Sequence, residues 1–145
     1  MRITIAQKKD LEFVYETLKV LAGDVKYPIE TFKSYYLDYL NNDHSQIYIA
    51  EVDDEQIGLI TLNRFEMPRY CGYGLEMEEV IIIESMRGKG YGREFIELLK
   101  EKVSKDPGLR KMIVKTDDIA GSGKLYARIL DQKELVTYQK YINPL

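Results

Sequence analysis

Glu78 to Gly92, Glu-Glu-Val-Ile-Ile-Ile-Glu-Ser-Met-Arg-Gly-Lys-Gly-Tyr-Gly, constrains this chain more than any other stretch. A run of β-branched apolar residues, Val80 to Ile83, breaks into three glycines within five positions, Gly88, Gly90 and Gly92. Phe95, Ile96, Leu99 and Val103 then recur at spacings of three and four, the period of an amphipathic helix. A strand, a tight turn and a helix N-terminus therefore follow one another directly. Such a turn aims several backbone N–H groups at one point, and the helix dipole adds about half a positive charge there. With Arg87, Lys89 and Arg93 around it, the turn is suited to an anion, and to a phosphate above all.

Two common phosphate fingerprints do not fit. A dinucleotide-binding G-x-G-x-x-G starting at Gly88 needs glycine where Arg93 stands. A Walker loop around Gly123-Lys124 needs glycine at the position of Asp118 and Ser or Thr at that of Leu125.

At 145 residues the chain is about one ordinary domain, 1–145, and folding at that size buries roughly 68–70% of the unfolded surface. A net charge of -3, from 21 basic and 24 acidic residues mixed along the chain, argues against a nucleic-acid partner, which selects for a basic stripe. The single cysteine, Cys71, excludes an internal disulfide and fits a reducing compartment. His44 is the sole histidine, so an all-protein zinc site has almost no ligands and no metal is expected. No signal sequence opens the chain, and no apolar run approaches the roughly 18 residues of a membrane span. The expectation is a soluble, cytoplasmic protein without a membrane partner.

Arg2 to Ala6 alternates as a strand; Leu11, Val14, Tyr15, Leu18 and Leu21 keep helical spacing, with Gly23 as a stop. Pro28 suits the start of a second helix bearing Ile29, Phe32, Tyr36, Tyr39 and Leu40. Gln46 to Val52 and Gln56 to Phe65 read as a hairpin around Asp53-Asp54-Glu55. Pro68, Gly72 and Gly74 read as a surface loop from Glu66 to Gly74 that carries Arg69, Tyr70 and Tyr73. After the glycine turn and its helix come a buried strand at Lys111 to Lys115, a short helix around Lys124 to Leu130 and a last strand from Leu135 to Ile142. The order β-α-α-β-β-β-α-β-α-β describes an α/β (mixed α+β) fold.

Arg87-Gly88-Lys89-Gly90-Tyr91-Gly92 matches the acyl-coenzyme A signature R/Q-x-x-G-x-G/A, placed after a strand and opening a helix. Here the chain resembles the GNAT superfamily of acetyltransferases, and the element order extends the resemblance over most of its length. It implies a central, mostly antiparallel mixed sheet of about six or seven strands flanked by about four helices. It also implies acetyl-CoA as co-substrate: the backbone from Arg87 to Gly92, with Lys89, Tyr91 and Arg93, cradles the pyrophosphate. Ile81, Ile82 and Ile83 run beside the pantetheine arm where the fourth and fifth strands splay, pairing with it as an added strand would. An amide of the fourth strand, that of Ile82, then stabilises the oxyanion of a tetrahedral intermediate.

An amine acceptor has a pKa near 10 and must lose a proton before it attacks. Glu76, Glu78 and Glu79 enter an otherwise apolar strand, where an unpartnered carboxylate is costly, and alternation puts Glu76 and Glu78 on one face. Glu78 is taken as the base, because adjacent acidic residues at this distance before the motif Arg also resemble those of glucosamine-phosphate acetyltransferases. Glu76 and Glu79 are assigned to the acceptor's ammonium. The family's general acid is a tyrosine on the last helix, in an Asn-x-x-Ala-x-x-(Phe/Leu)-Tyr pattern that Leu125-Tyr126 completes. Ile119 and Ser122 depart from it, and Tyr138 and Tyr141 stand in reserve.

The resemblance places the acceptor, a small-molecule or peptide amine, between the first two helices and the loop, which nominates Tyr27, Tyr35, Tyr36, Arg69, Tyr70 and Tyr73. Monomer and homodimer both stay open. The rival to an N-acetyltransferase is a non-catalytic acyl-CoA sensor that keeps the glycine turn without the acid and base.

Overall fold

The computed structural model describes residues 1–21, 27–116 and 118–131. They fall into two compact units, Met1–Lys115 and a second that begins at Thr116. In the first unit, strand β1 (Arg2–Ile5) precedes helices α1 (Leu11–Lys19) and α2 (Ile29–Leu40), then β2 (Ser45–Val52), β3 (Glu55–Met67), β4 (Gly72–Ile82), α3 (Tyr91–Val103) and β5 (Leu109–Val114). The second unit contributes α4 (Ser122–Tyr126). The expected last strand, Leu135 to Ile142, and the expected stop at Gly23 lie outside the described residues. Among the described residues no helix is long and apolar enough to cross a membrane.

Among the described residues five strands, against the six or seven expected, form one sheet in chain order, β1-β2-β3-β4-β5. Neighbours are antiparallel except β4 and β5, which α3 joins as a crossover and which run parallel. Asp53 and Asp54 both take positive φ, 51° and 63°, as the mirror-image turn that matches strand twist requires.

Alternation divides the sheet into two faces. Ile47, Ile49, Leu59 and Ile81 pack with Val14 and Tyr36 of α1 and α2, and with Leu11, Phe13, Leu18, Phe32, Tyr39 and Leu40 around them. Tyr48, Leu62, Tyr73 and Leu75 point to the other face, beside Lys102 and Val103 of α3, whose Phe95, Ile96 and Leu99 are fully buried.

Residues 66–74 are not the loop that their glycines suggest. β3 runs to Met67, a single turn at Pro68–Tyr70 reverses the chain, and β4 begins at Gly72. A side chain at Gly74 would enter the Phe65 ring, and one at Gly72 would meet the Gly108 carbonyl. These glycines permit close packing within strands.

The β3–β4 ladder is irregular at one place. Ile60 pairs with Val80 but Leu62 pairs with Met77, so Thr61 alone faces both Glu78 and Glu79. This is a β-bulge, with the extra residue on β4.

Candidate active site

The turn after β4 is built by conformation. Gly88 and Gly90 have φ of 75° and 89°, a region that side chains rarely adopt, and a Cβ at either position would meet nothing within 4 Å. Gly90 caps α3 without any side-chain bond to the helix N-terminus, and among the described residues nothing accepts from the amides of Gly88, Lys89 and Gly90. Free donors at a helix start, facing open space, fit a phosphate. Tyr91 and Gly92 form the first positions of α3. Arg87 donates from Nε to the Ile82 carbonyl at 2.8 Å, tying the turn back to β4. The Lys89 ammonium lies 3.4 Å from Met86 Sδ. Arg93 makes an exposed pair with Glu97 at 2.9 Å.

β4 has an open edge leading into this turn. Its pairing with β5 runs from Tyr73 to Met77 and stops at Met77 opposite Val114, so from Glu78 to Ile82 the strand is paired only with β3 among the described residues. The Ile83 amide donates to the Ile57 carbonyl at 2.9 Å. Alternation from that bond turns the Ile82 N–H toward the open edge. Ile81 is buried in the α1/α2 core, whereas Ile82 and Ile83 are partly exposed.

The bulge gathers the carboxylates. Glu78 and Glu79 both line a cavity of about 520 Å³ between α2 and the sheet, with Phe32, Tyr35, Tyr39, Thr61 and Asn63. Glu76 stands opposite Asn63 on the same face. It is held by Lys115, whose Nζ lies 2.6 Å from its carboxylate and whose pKa is raised by that bond. Glu79 is half-buried. Its N–H donates to Thr61 Oγ1 at 3.0 Å, and that hydroxyl donates to the Glu79 carboxylate. Burial, followed by the neighbouring Glu78 charge, pushes the Glu79 carboxyl up to about 6. That shift brings the protonation of Glu79 toward the physiological range.

Tyr39, Ser45, Thr61, Asn63 and Asp38 complete the cavity and were not nominated by the sequence. Tyr39 and Ser45 both donate to Asn63 Oδ1, at 3.3 and 3.1 Å. Burial above all pushes the Tyr39 hydroxyl up to about 12, so it stays a proton donor. The polar Thr61 and Asn63, on the buried face of an apolar strand, were the available signal.

Among the nominated acceptor contacts, Tyr35 and Tyr36 line this cavity, although Tyr36 is buried and donates to the Gln7 carbonyl at 2.8 Å. Tyr27 and Tyr70 are exposed, and Arg69 lies over the Tyr70 ring at 5.5 Å. Tyr73 does not join Glu78 and Glu79. It lies on the opposite face of the sheet, donates to Asp106 at 2.8 Å and carries the Arg64 guanidinium 3.8 Å above its ring. In the second unit, Tyr126 ends α4 and burial raises its hydroxyl pKa. Asp118 accepts from the amides of Gly121 and Ser122 at the start of that helix. Tyr138 and Tyr141 lie outside the described residues.

Fold and site define an α/β protein with a turn of free amides at the end of an open strand edge and a carboxylate-lined cavity beside it. The chain belongs to the acetyltransferase (GNAT) family, whose model matches residues 11–131. Acyl transfer is accordingly its general chemistry. No curated protein matches the chain by sequence. Among solved structures it is similar to a ribosomal-protein-alanine N-acetyltransferase from Brucella melitensis biovar Abortus 2308, at 18% identity and a TM-score of 0.81 over 98% of this chain and 100% of that one. An aminoglycoside acetyltransferase from an uncultured soil metagenomic sample, solved with sisomicin, shares the fold at 14% identity and a TM-score of 0.80, over 99% and 96% of the chains. An integron cassette protein from the mobile metagenome of Cole Harbour Salt Marsh does so at 17% and 0.81, over 99% and 91%.

Proposed function

We propose that this protein is an acetyl-CoA-dependent N-acetyltransferase that acetylates a primary amine by direct attack. The observation that carries this reading is Glu79: a half-buried carboxyl with its pKa moved up to about 6, set on a strand bulge where an open edge begins. Acetyl-CoA, when bound, supplies the activated acyl group as a thioester.

The residues divide the task. The amides from Gly88 to Gly92, with Lys89 and Arg93, hold the pyrophosphate, and Arg87 keeps the turn against the end of β4. The open edge from Val80 to Ile82 pairs with the pantetheine arm, and the Ile82 N–H stabilises the charge that develops on the carbonyl oxygen. Glu79 removes the proton from the acceptor's ammonium; a base with a pKa nearer the working pH is the more effective one. Glu78, first choice on sequence, holds that ammonium and raises the basicity of Glu79. Tyr126 returns a proton to the departing thiolate, a role supported by the Leu125-Tyr126 motif and by a hydroxyl that burial keeps protonated. Residues 1–145 are read as one domain because the family match runs through the junction at Thr116.

Free-thiol release with acetyl-CoA and a panel of amines tests the reading. Glu79→Gln is expected to lower kcat/KM by about a hundredfold, the usual contribution of a general base, and Tyr126→Phe to lower kcat. Coenzyme binding without thiol release for any amine would establish the sensor instead.

A further inference from the structure

A hydroxyl carries one proton, and at Thr61 the direction of that proton is dictated by its surroundings. At the bulge Thr61 faces two residues of β4, and the Glu79 N–H donates to its Oγ1 at 3.0 Å. With that lone pair taken, the Thr61 proton is left to donate, and it goes to Oε2 of the same glutamate. Amide, hydroxyl and carboxylate thus close a ring on Glu79. Thr61 is only 4% exposed, so bulk water does not compete for either bond, and its β-branch restricts χ1 and keeps the hydroxyl aimed. Among the described residues no other side chain is hydrogen-bonded to the Glu79 carboxylate. Oε1 is therefore the oxygen available to the cavity that Glu79 lines.

The charged and titratable groups around this carboxylate do not duplicate the role. Glu78 from β4 and Asp38, Tyr35, Tyr36 and Tyr39 from α2 line the same cavity, and Tyr36 and Tyr39 donate to Gln7 and Asn63. None of the described residues lining it is Lys, Arg or His, and Lys115, just past β5, is bound to Glu76. A hydrogen bond donated to a carboxylate favours its ionised form, so Thr61 acts against burial and the Glu78 charge. Resting on the reading of Glu79 as the base, we propose that Thr61 is its positioning residue: it fixes one carboxylate oxygen, favours the ionised form and leaves the other oxygen to the acceptor's ammonium.

NMR of protein isotope-labelled at the glutamate carboxyl carbons, with neither coenzyme nor amine present, follows the Glu79 titration directly, and Glu79→Gln assigns the signal. Thr61→Val keeps the shape and removes the donor, and should raise the Glu79 midpoint by about one pH unit. Thr61→Ser, which restores the hydroxyl, should bring it back. In thiol release with acetyl-CoA and the most active amine of the panel, the acidic limb of kcat/KM should move with the midpoint. kcat for Thr61→Val should fall about tenfold or more through lost alignment, with KM for acetyl-CoA unchanged. A threonine that only packs would lower Tm in its variants and move neither midpoint nor limb. An unmoved midpoint in Thr61→Val, or one that Thr61→Ser does not restore, overturns the proposal. If Thr61→Val does not fold, the native protein decides: the Thr61 hydroxyl proton should be protected from exchange and shift as Glu79 titrates, and a freely exchanging proton refutes the ring. Full activity in Glu79→Gln would end the base reading instead, while a midpoint displaced in Thr61→Val would still establish that Thr61 governs this carboxyl.

Discussion

Glu79 makes two opposed demands on the molecule. In the folded chain it gives up its proton near 6, against an ordinary value of 4.5, because burial and Glu78 disfavour its charge. Between those values the folded state holds a proton that the unfolded state has released, so stability falls as pH rises through the window and stays lower above it. With partial solvent access discounted, the penalty is on the order of 1 kcal/mol. Glu79→Gln, which can still accept from Thr61, is therefore expected to raise Tm by a few degrees at pH 7.5 and to leave it unchanged below pH 4.5. Activity moves the opposite way. The base must be ionised, so kcat/KM should climb as pH rises through about 6. A flat activity profile between pH 5 and 7, or a variant that loses stability at pH 7.5, would remove Glu79 from the base role. At this scale the sequence showed three candidate carboxylates and put Glu78 first, because what distinguishes Glu79 is the hydroxyl of Thr61, contributed by a neighbouring strand.

The glycine turn is an element whose form was readable in advance. Its signal is local: a strand period, a break and a helix period within one short stretch. Gly90→Ala puts a side chain at φ 89°, where there is room but the backbone conformation is unfavourable, and should cost about 1–2 kcal/mol of stability. Because the same change distorts the cradle, coenzyme A should bind more weakly, measured as a smaller thermal shift at fixed ligand concentration. An unchanged shift would place the pyrophosphate elsewhere. By contrast, Gly72 and Gly74 were misread, since a glycine needed for packing carries the same letter as one needed for a turn. What distinguishes them is Phe65 and Gly108, close in space but outside their local sequence. The same gap put Tyr73 among the acceptor contacts, when strand alternation sends it to the α3 face.

At the scale of the whole molecule, element order carried most of the fold. Each described strand lies beside the one before it, through α1 and α2 from β1 to β2 and through tight turns from β2 to β4, and the crossover through α3 makes the only parallel pair among the described strands. Composition and period specify such an arrangement well. Register is a different matter, because it is set jointly by two strands and leaves no mark on either alone. The bulge is therefore where reading ended, and it permits an unusual experiment. Excising one residue from a buried strand ordinarily inverts everything beyond it and unfolds the protein. Here Met77 already faces Leu62 and Val80 already faces Ile60, so removing Glu78 leaves Thr61 opposite Glu79 and the ladder closes without a shift. The shortened chain should fold with cooperative melting, yet lose acetyl transfer as its two adjoining carboxylates become one. In the language of insertions and deletions, Glu78 is a single added letter that the ladder on either side of it does not need.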